Sequence, residues 1–433
     1  MSRSQARARR LRVRGAGLVL IWLSGQASAA PPTPVEVMRV EEAVDEALGH
    51  NLELLARRYE VPLARAEIVS ARLRLNPTLS FGADHLDLLG THYDDVNHAG
   101  PEEFFVRTDW LFRSGRKRKR RIEVAETGVA VAEQRLRDAV RLLVRDVQSA
   151  CVDVQAAAAA VELAEVNRDL YARVVALNEV RVANGDLAKV DLTRAQIAEL
   201  QASNELRQAE GAQRVASNNL ALLLGRTASP AAISVTGEMR ADATPRALAE
   251  IQARALRERP DLRAAHGEQR FTQLDVRRQI AEGKIDLSVG VEARRQQGLA
   301  GTGNSLGFFV VVPLRLFDRN QGQIERSRQQ AAQADQRALA VEQAIRIEAA
   351  NAHVAYEVAR ELLASFEGGM LARAEQVLAT AEYAYRRGEA SLIELIDAQR
   401  AHNDTRRTYN EARAAFARAL YEIDAVTASG GWQ

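Results

Sequence analysis

Seven residues between positions 84 and 98 carry side chains that ligate transition metals: Asp84, His85, Asp87, His92, Asp94, Asp95 and His98. Imidazole and carboxylate suit such ions, but the spacing matches no defined ligand set, and a polar surface loop accounts for the same residues. A second concentration is cationic, at Arg113, Arg116, Lys117, Arg118, Lys119, Arg120 and Arg121. It is suited to phosphate, either of nucleic acid or of lipid head groups, and a solvated helix start explains it equally. The glycines from Gly301 to Gly307 miss the G-x-G-x-x-G spacing of a nucleotide loop and suit a flexible hairpin connection. There is no Ser/His/Asp motif, Walker loop or H-E-x-x-H, and acid pairs recur along the chain without a distinctive spacing. The expectation is a protein that is not an enzyme and needs no cofactor.

Cys151 is the single cysteine, which excludes an intramolecular disulfide and a Cys-x-x-Cys metal site. No cysteine follows the leader, so no acceptor for an N-terminal lipid is present. That leader, residues 1–29, has the parts of a secretory signal. Basic residues from Arg7 to Arg14 precede the apolar run Leu18–Leu23, and Ala27-Ser28-Ala29 forms an A-x-A cleavage site. Beyond it no run of about 18 apolar residues exists, so a membrane span must use strands.

The 433 residues are 47% hydrophobic but only 5% aromatic, and 59 basic against 57 acidic groups leave a net charge of +2. Such a balance offers no whole-chain attraction to nucleic acid. Ala, Leu, Glu, Arg and Gln dominate long stretches, the composition of long helices. Helical patterns run from about 40 to 75, 116 to 183, 186 or 191 to 224, 245 to 281, and 321 to 425, interrupted near Gly185 and Gly388 and disturbed at Gly368-Gly369. The 116–183 run alone spans roughly 100 Å at ~1.5 Å per residue, far more than a globular core needs. Residues 226–250 are expected to be a linker and 428–433 a tail.

The order of elements occurs twice. Leu54–Gly82 aligns without gaps to Leu262–Gly290, and Phe104-Phe105-Val106 matches Phe308-Phe309-Val310. Gly185 and Gly388 each precede an acid by six residues, Asp191 and Glu394. An internal duplication sets the architecture: repeat 30–225 with strands 77–88 and 102–112 and a helical hairpin tip near 185, then repeat 251–427 with strands 285–295 and 305–317 and a tip near 388.

The strands alternate cleanly in polarity. Ile285, Leu287, Val289, Val291 and Ala293 share one face, with Asp286, Ser288, Gly290, Glu292 and Arg294 on the other. Leu306, Phe308, Val310, Val312, Leu314 and Leu316 form an unbroken apolar face. About 10 residues is the length of a tilted barrel strand in a bilayer. Four strands cannot enclose an aqueous lumen, and open edges are not tolerated in lipid. Three protomers supply twelve strands. The fold class expected is therefore an α+β membrane protein, with two repeats of two barrel strands plus long helical hairpins. Its homotrimer would form a 12-stranded β-barrel on an α-helical periplasmic barrel. The alternatives are a periplasmic coiled-coil scaffold or adaptor without a pore, and a basic coiled-coil protein that binds nucleic acid.

Two segments carry a resemblance over nearly the whole mature chain: Val312-Pro313-Leu314-Arg315-Leu316-Phe317-Asp318-Arg319-Asn320-Gln321-Gly322-Gln323-Ile324, and Tyr385–Gln399. They resemble the TolC-like outer-membrane efflux factors, the first of them most like the CzcC-like subgroup that serves heavy-metal pumps. The resemblance implies a passive exit duct for small toxic solutes, heavy-metal cations among them. It implies a cell outer-membrane location reaching into the periplasm, with contact to outer-membrane lipid. It also implies an adaptor (membrane fusion) protein docked at tips Gly185 and Gly388, and an inner-membrane pump of RND type. A gate near the tips is implied, in which the family's aspartate bonds a tyrosine and an arginine; the matching positions are Asp191, Tyr385 and Arg413. The family's pore narrows at two acids, matched by Glu394 and Asp397, one aspartate being replaced by glutamate. A basic residue of the family is absent at Ala390. A ring of three such acid pairs would attract cations.

Overall fold

A computed structural model describes residues 35–86, 88–90, 102–226, 232–242, 247–298 and 301–429. The leader, most of the Asp/His-rich loop and the end of the tail lie outside the described residues.

Three short helices, α1 (Val40–His50), α2 (Leu52–Arg58) and α3 (Glu60–Arg72), open the chain after strand β1 (Val35–Met38). Asn51 divides the first two: its carbonyl side chain accepts from the Leu54 N–H (2.9 Å) and its amide donates to the Leu223 carbonyl (2.9 Å). Strands β2 (Thr78–Asp84) and β3 (Glu103–Phe112) follow, then α4 (Lys117–Asn184) and α5 (Lys189–Leu223). The same order returns as α6 (Leu248–Glu258), α7 (Pro260–Glu282), β5 (Leu287–Gly298), β6 (Gly301–Val311), α8 (Gln321–Ser365), α9 (Leu371–Arg387) and α10 (Leu392–Val426). Helix α4 ends on Gly185 at φ 82° and α9 on Gly388 at φ 80°, the left-handed stop that glycine adopts without strain.

Several boundaries differ from the sequence expectation: the 40–75 helix is three, and strand 77–88 ends at Asp84. The 226–250 linker contains strand β4 (Ala232–Val235), which pairs in parallel with β1, and its residue Ile233 is buried in the core formed by α1, α4 and α5. The 245–281 helix is two, because Pro260 forces Arg259 into an extended conformation (ψ 128°). Strand 305–317 ends at Val311. Pro313 has no N–H for the ladder, and the chain turns through a bond from Leu316 N–H to the Leu314 carbonyl. Strand 285–295 starts two residues late, since Ile285 and Asp286 bond Ser114 instead of a strand. The disturbance at Gly368-Gly369 is a π-helical turn, Phe366–Met370, with Gly369 at φ 117°.

The four long strands form one antiparallel sheet in the order β2-β3-β5-β6, so β3 and β5 join the two halves of the chain at its centre. Each half has its own helical core. Ala43, Ala47, Val147, Cys151 and Leu220 fill the first; Ile251, Ile345, Tyr356, Phe416 and Ile423 fill the second. Helices α4 and α10 close the seam between them over Val152, Ala414 and Ala417, where alanine permits close approach.

Candidate functional site

At the far end of the helices α4, α5, α9 and α10 meet around Val174, Val175, Ala195, Tyr385, Leu392 and Leu395. Tyr385 is buried, and its hydroxyl donates to Asn178 Oδ1 at 2.5 Å. Burial pushes the Tyr385 phenol above its usual value; the Asn178 bond and Arg181 pull against that, and the Asp191 charge adds to it. Arg181 donates to the Tyr385 and Arg386 carbonyls (3.1 and 2.8 Å), satisfying the last turn of α9, and its guanidinium stands 5.3 Å from the Tyr385 ring centre.

The expected trio is not in mutual contact within the protomer. Asp191 lies near enough to act on Tyr385 electrostatically but bonds Arg194, at 3.2 Å. Arg413 stacks over Tyr409 (5.7 Å), and its place on α10, 21 residues past Leu392, is roughly 30 Å from the tip at ~1.5 Å per residue. Asn178 occupies the position of partner that the resemblance gave to Asp191. The spacing of Tyr171, Val174, Val175 and Asn178 puts a polar residue on the buried stripe of α4, and that was the available signal for it.

Glu394 and Asp397 lie one turn apart on the exposed face of α10. Glu394 also completes a capping box. It accepts from the Ser391 N–H (2.6 Å), while the Glu394 N–H donates to Ser391 Oγ (3.3 Å). Deeper along the helices, Gln399 is buried and donates to Asn167 Oδ1 (3.1 Å) and Asn403 Oδ1 (3.0 Å), tying α10 to α4 through a polar layer.

The sheet has the reverse of a soluble polarity. Phe81 and Phe308 are 73% and 74% exposed, whereas Glu292 on the opposite face is 7% exposed. Registers Phe81↔Val106, Val106↔Ala293 and Val291↔Phe308 place one apolar row from each of the four strands on the same side. On the other side charges bond one another. Arg107 holds Asp109 (2.8 Å), and Arg294 holds Glu292 (2.9 Å), Asp84 (2.9 Å) and Glu103 (3.1 Å). Arg107 lies over Phe309 (4.3 Å) and Arg294 over Phe105 (4.8 Å). Gly82 faces Phe105 across β2 and β3, and Gly290 faces Phe309 across β5 and β6. A Cβ on Gly82 would enter the Phe105 ring; one on Gly290 would strike Asp109. Repeat-related glycines thus leave room for the folded-over side chains of this face.

Of the cationic run, Lys117 is the buried member: its Nζ donates to Asp286 (2.7 Å) and to the Lys284 carbonyl (2.8 Å), fixing α4 to the base of β5. Among the described residues no group of three or more His, Cys, Asp or Glu could hold a metal ion. Cys151 is buried, which pushes its thiol up to about 12 and leaves it protonated at neutral pH. No described helix is long and apolar enough to cross a membrane.

The sequence profile of the outer membrane efflux protein family matches residues 43–226 and 252–429. The chain belongs to that family. This outer membrane efflux protein is 27% identical over 377 residues to the cobalt-zinc-cadmium resistance protein CzcC of Cupriavidus metallidurans, covering 86% of each. Its fold is that of a Pseudomonas aeruginosa membrane protein (TM-score 0.76, 19% identity, 90% of this chain and 92% of the other). The Campylobacter jejuni CmeC outer membrane channel shares it also (TM-score 0.76, 12% identity, 90% and 86%). Membership of this family makes the protein the channel component of a tripartite efflux system, and its helix-rich α+β fold is the one its solved neighbours share.

Proposed function

We propose that three copies of this chain close a 12-stranded barrel in the outer membrane and continue it into the periplasm as an α-helical tube, a passive exit duct. The inverted sheet carries this reading: an apolar face left in the open beside a covered, internally paired charged face is what a water-filled barrel in lipid requires. The edges at β2 and β6 hold ladder groups that a neighbouring protomer can pair, and lipid does not tolerate them open. Exposed Val190, Ile197 and Leu200 on α5, and Ile347, Val354 and Val358 on α8, supply apolar stripes for the same neighbours.

The tips at Gly185 and Gly388 are the proposed docking points of a periplasmic adaptor, and an inner-membrane pump of RND type supplies the energy. Heavy-metal cations are the proposed cargo, by likeness to CzcC. The gate is proposed near the tip, with Asp191 and Tyr385 as its switchable groups there, Arg413 as a further one well along α10, and Glu394 and Asp397 as a threefold acidic constriction. Single-channel recording in planar bilayers tests this, comparing wild type with Glu394→Gln/Asp397→Asn. Glutamine at 394 keeps the capping box. A small cation-selective conductance that loses its selectivity in the double variant is expected. A pore indifferent to the change keeps the duct and removes the ring; a chain that never inserts returns the protein to a periplasmic scaffold.

A further inference from the structure

The four strand ends that face the helices share a composition that a pore alone does not require. Ahead of β2 the chain runs Leu73-Arg74-Leu75, with both leucines exposed. Strand β3 ends on exposed Phe112 and passes into Arg113 and Arg116. Lys284 and half-exposed Ile285 precede β5. After β6 come Leu314, Leu316, Phe317 and Arg319, with Phe317 88% exposed.

These segments adjoin one another along one end of the sheet, an arc that three protomers would close into a ring. Arg118 Nε donates to the Arg72 carbonyl (2.8 Å), the Ser114 N–H donates to Asp286 (2.9 Å), and Arg315 Nη1 donates to the Glu282 carbonyl (2.9 Å). Lys284 lies against Gly115. Some cations of the ring serve the fold, Lys117 with Asp286 and Arg120 with Glu123 (2.8 Å). Others, namely Arg74, Arg116, Lys284 and Arg319, make no ion pair among the described residues, and Arg113 reaches Asp286 through its charge alone. Crowding is felt by Arg121, whose guanidinium is held below its ordinary value first by burial and then by Arg113. At the opposite ends of the strands Arg294 is paired with Asp84 and Glu103, while Arg295 makes no ion pair among the described residues.

We propose that this ring binds the head groups of anionic phospholipids, phosphatidylglycerol being the simplest, while its exposed leucines and phenylalanines enter the adjoining acyl layer. Free cations interleaved with exposed apolar side chains at one depth are what a membrane interface selects. Each such cation gains from a negative lipid surface. A soluble phosphate or a nucleic acid would satisfy the cations but leave the apolar members in water. The proposal rests on the channel reading, because only a sheet that spans the bilayer brings the ring to head-group depth.

Native mass spectrometry of the protein reconstituted in equal phosphatidylglycerol and phosphatidylethanolamine provides the test, wild type against Arg74→Gln/Arg116→Gln/Lys284→Gln/Arg319→Gln. Wild type is expected to retain phosphatidylglycerol preferentially, with the preference falling about fivefold for each cation removed. The charge-preserving set Arg74→Lys/Arg116→Lys/Arg319→Lys should keep it. Equal lipid ratios in wild type and the glutamine variant overturn the proposal. If that variant does not assemble, wild type decides alone: about 0.5 M salt should erase the preference, and a preference that survives overturns the proposal. Failure of the channel reading shows separately, as wild type that inserts into no lipid mixture.

Discussion

Phe308→Lys separates a lipid-facing sheet from a soluble one. Phe308 is 74% exposed and pairs across the ladder with Val291, near the middle of the apolar band that runs on β6 from Leu306 to Val310. On a soluble surface so open a position tolerates lysine within about 0.5 kcal/mol. At the midplane of a bilayer the same charge costs about 2–4 kcal/mol, and three protomers repeat the cost in every barrel. Urea unfolding of protein inserted into vesicles reads the difference as a shift in midpoint at constant slope. Ser305→Lys is the control, since Ser305 lies on the face of Arg294 and should tolerate the charge. Phe308→Leu should stay close to wild type. A Phe308→Lys protein that inserts and unfolds like wild type would refute the assignment of this face to lipid, and with it the barrel.

Two further changes probe packing seen only in the folded chain. Gly82→Val should drive a side chain into Phe105 and sharply reduce assembled barrel, and Gly82→Val/Phe105→Ala should recover it; equal yields of the two proteins, measured by gel mobility of the unheated assembly, would show that the contact is not the cause. Tyr385→Phe leaves Asn178 Oδ1 without its donor inside the tip and should loosen it by about 1–3 kcal/mol, seen as faster proteolysis beside Gly185 and Gly388. Adding Asn178→Leu should restore much of the protection, because an apolar pair leaves nothing unsatisfied; identical cleavage of the single and double variants would contradict the geometry.

What could be read from the amino-acid order was local or periodic. Alternation along Leu287–Ala293 assigns strand faces without knowledge of any partner, because successive side chains point to opposite sides. Gly185 and Gly388 stop helices by their own backbone freedom. The duplication around Gly82 and Gly290 shows in the order of residues as plainly as in space. Pro260 and Pro313 were local signals too, and each moved a boundary that periodicity alone had drawn too long. The features that only the tertiary structure decided depend on which distant segments meet. Strand β4 looked like linker because a four-residue strand has no pattern of its own, and it exists by pairing with β1, some 200 residues earlier. Seven cations from Arg113 to Arg121 look alike in sequence, yet only Lys117 meets Asp286 and is buried. The same holds at the tip. Helix spacing brings Asp191 and Tyr385 to one level, but only the rotation of α4 against α9 decides that Asn178 takes the hydroxyl, and the rise along α10 carries Arg413 away from both.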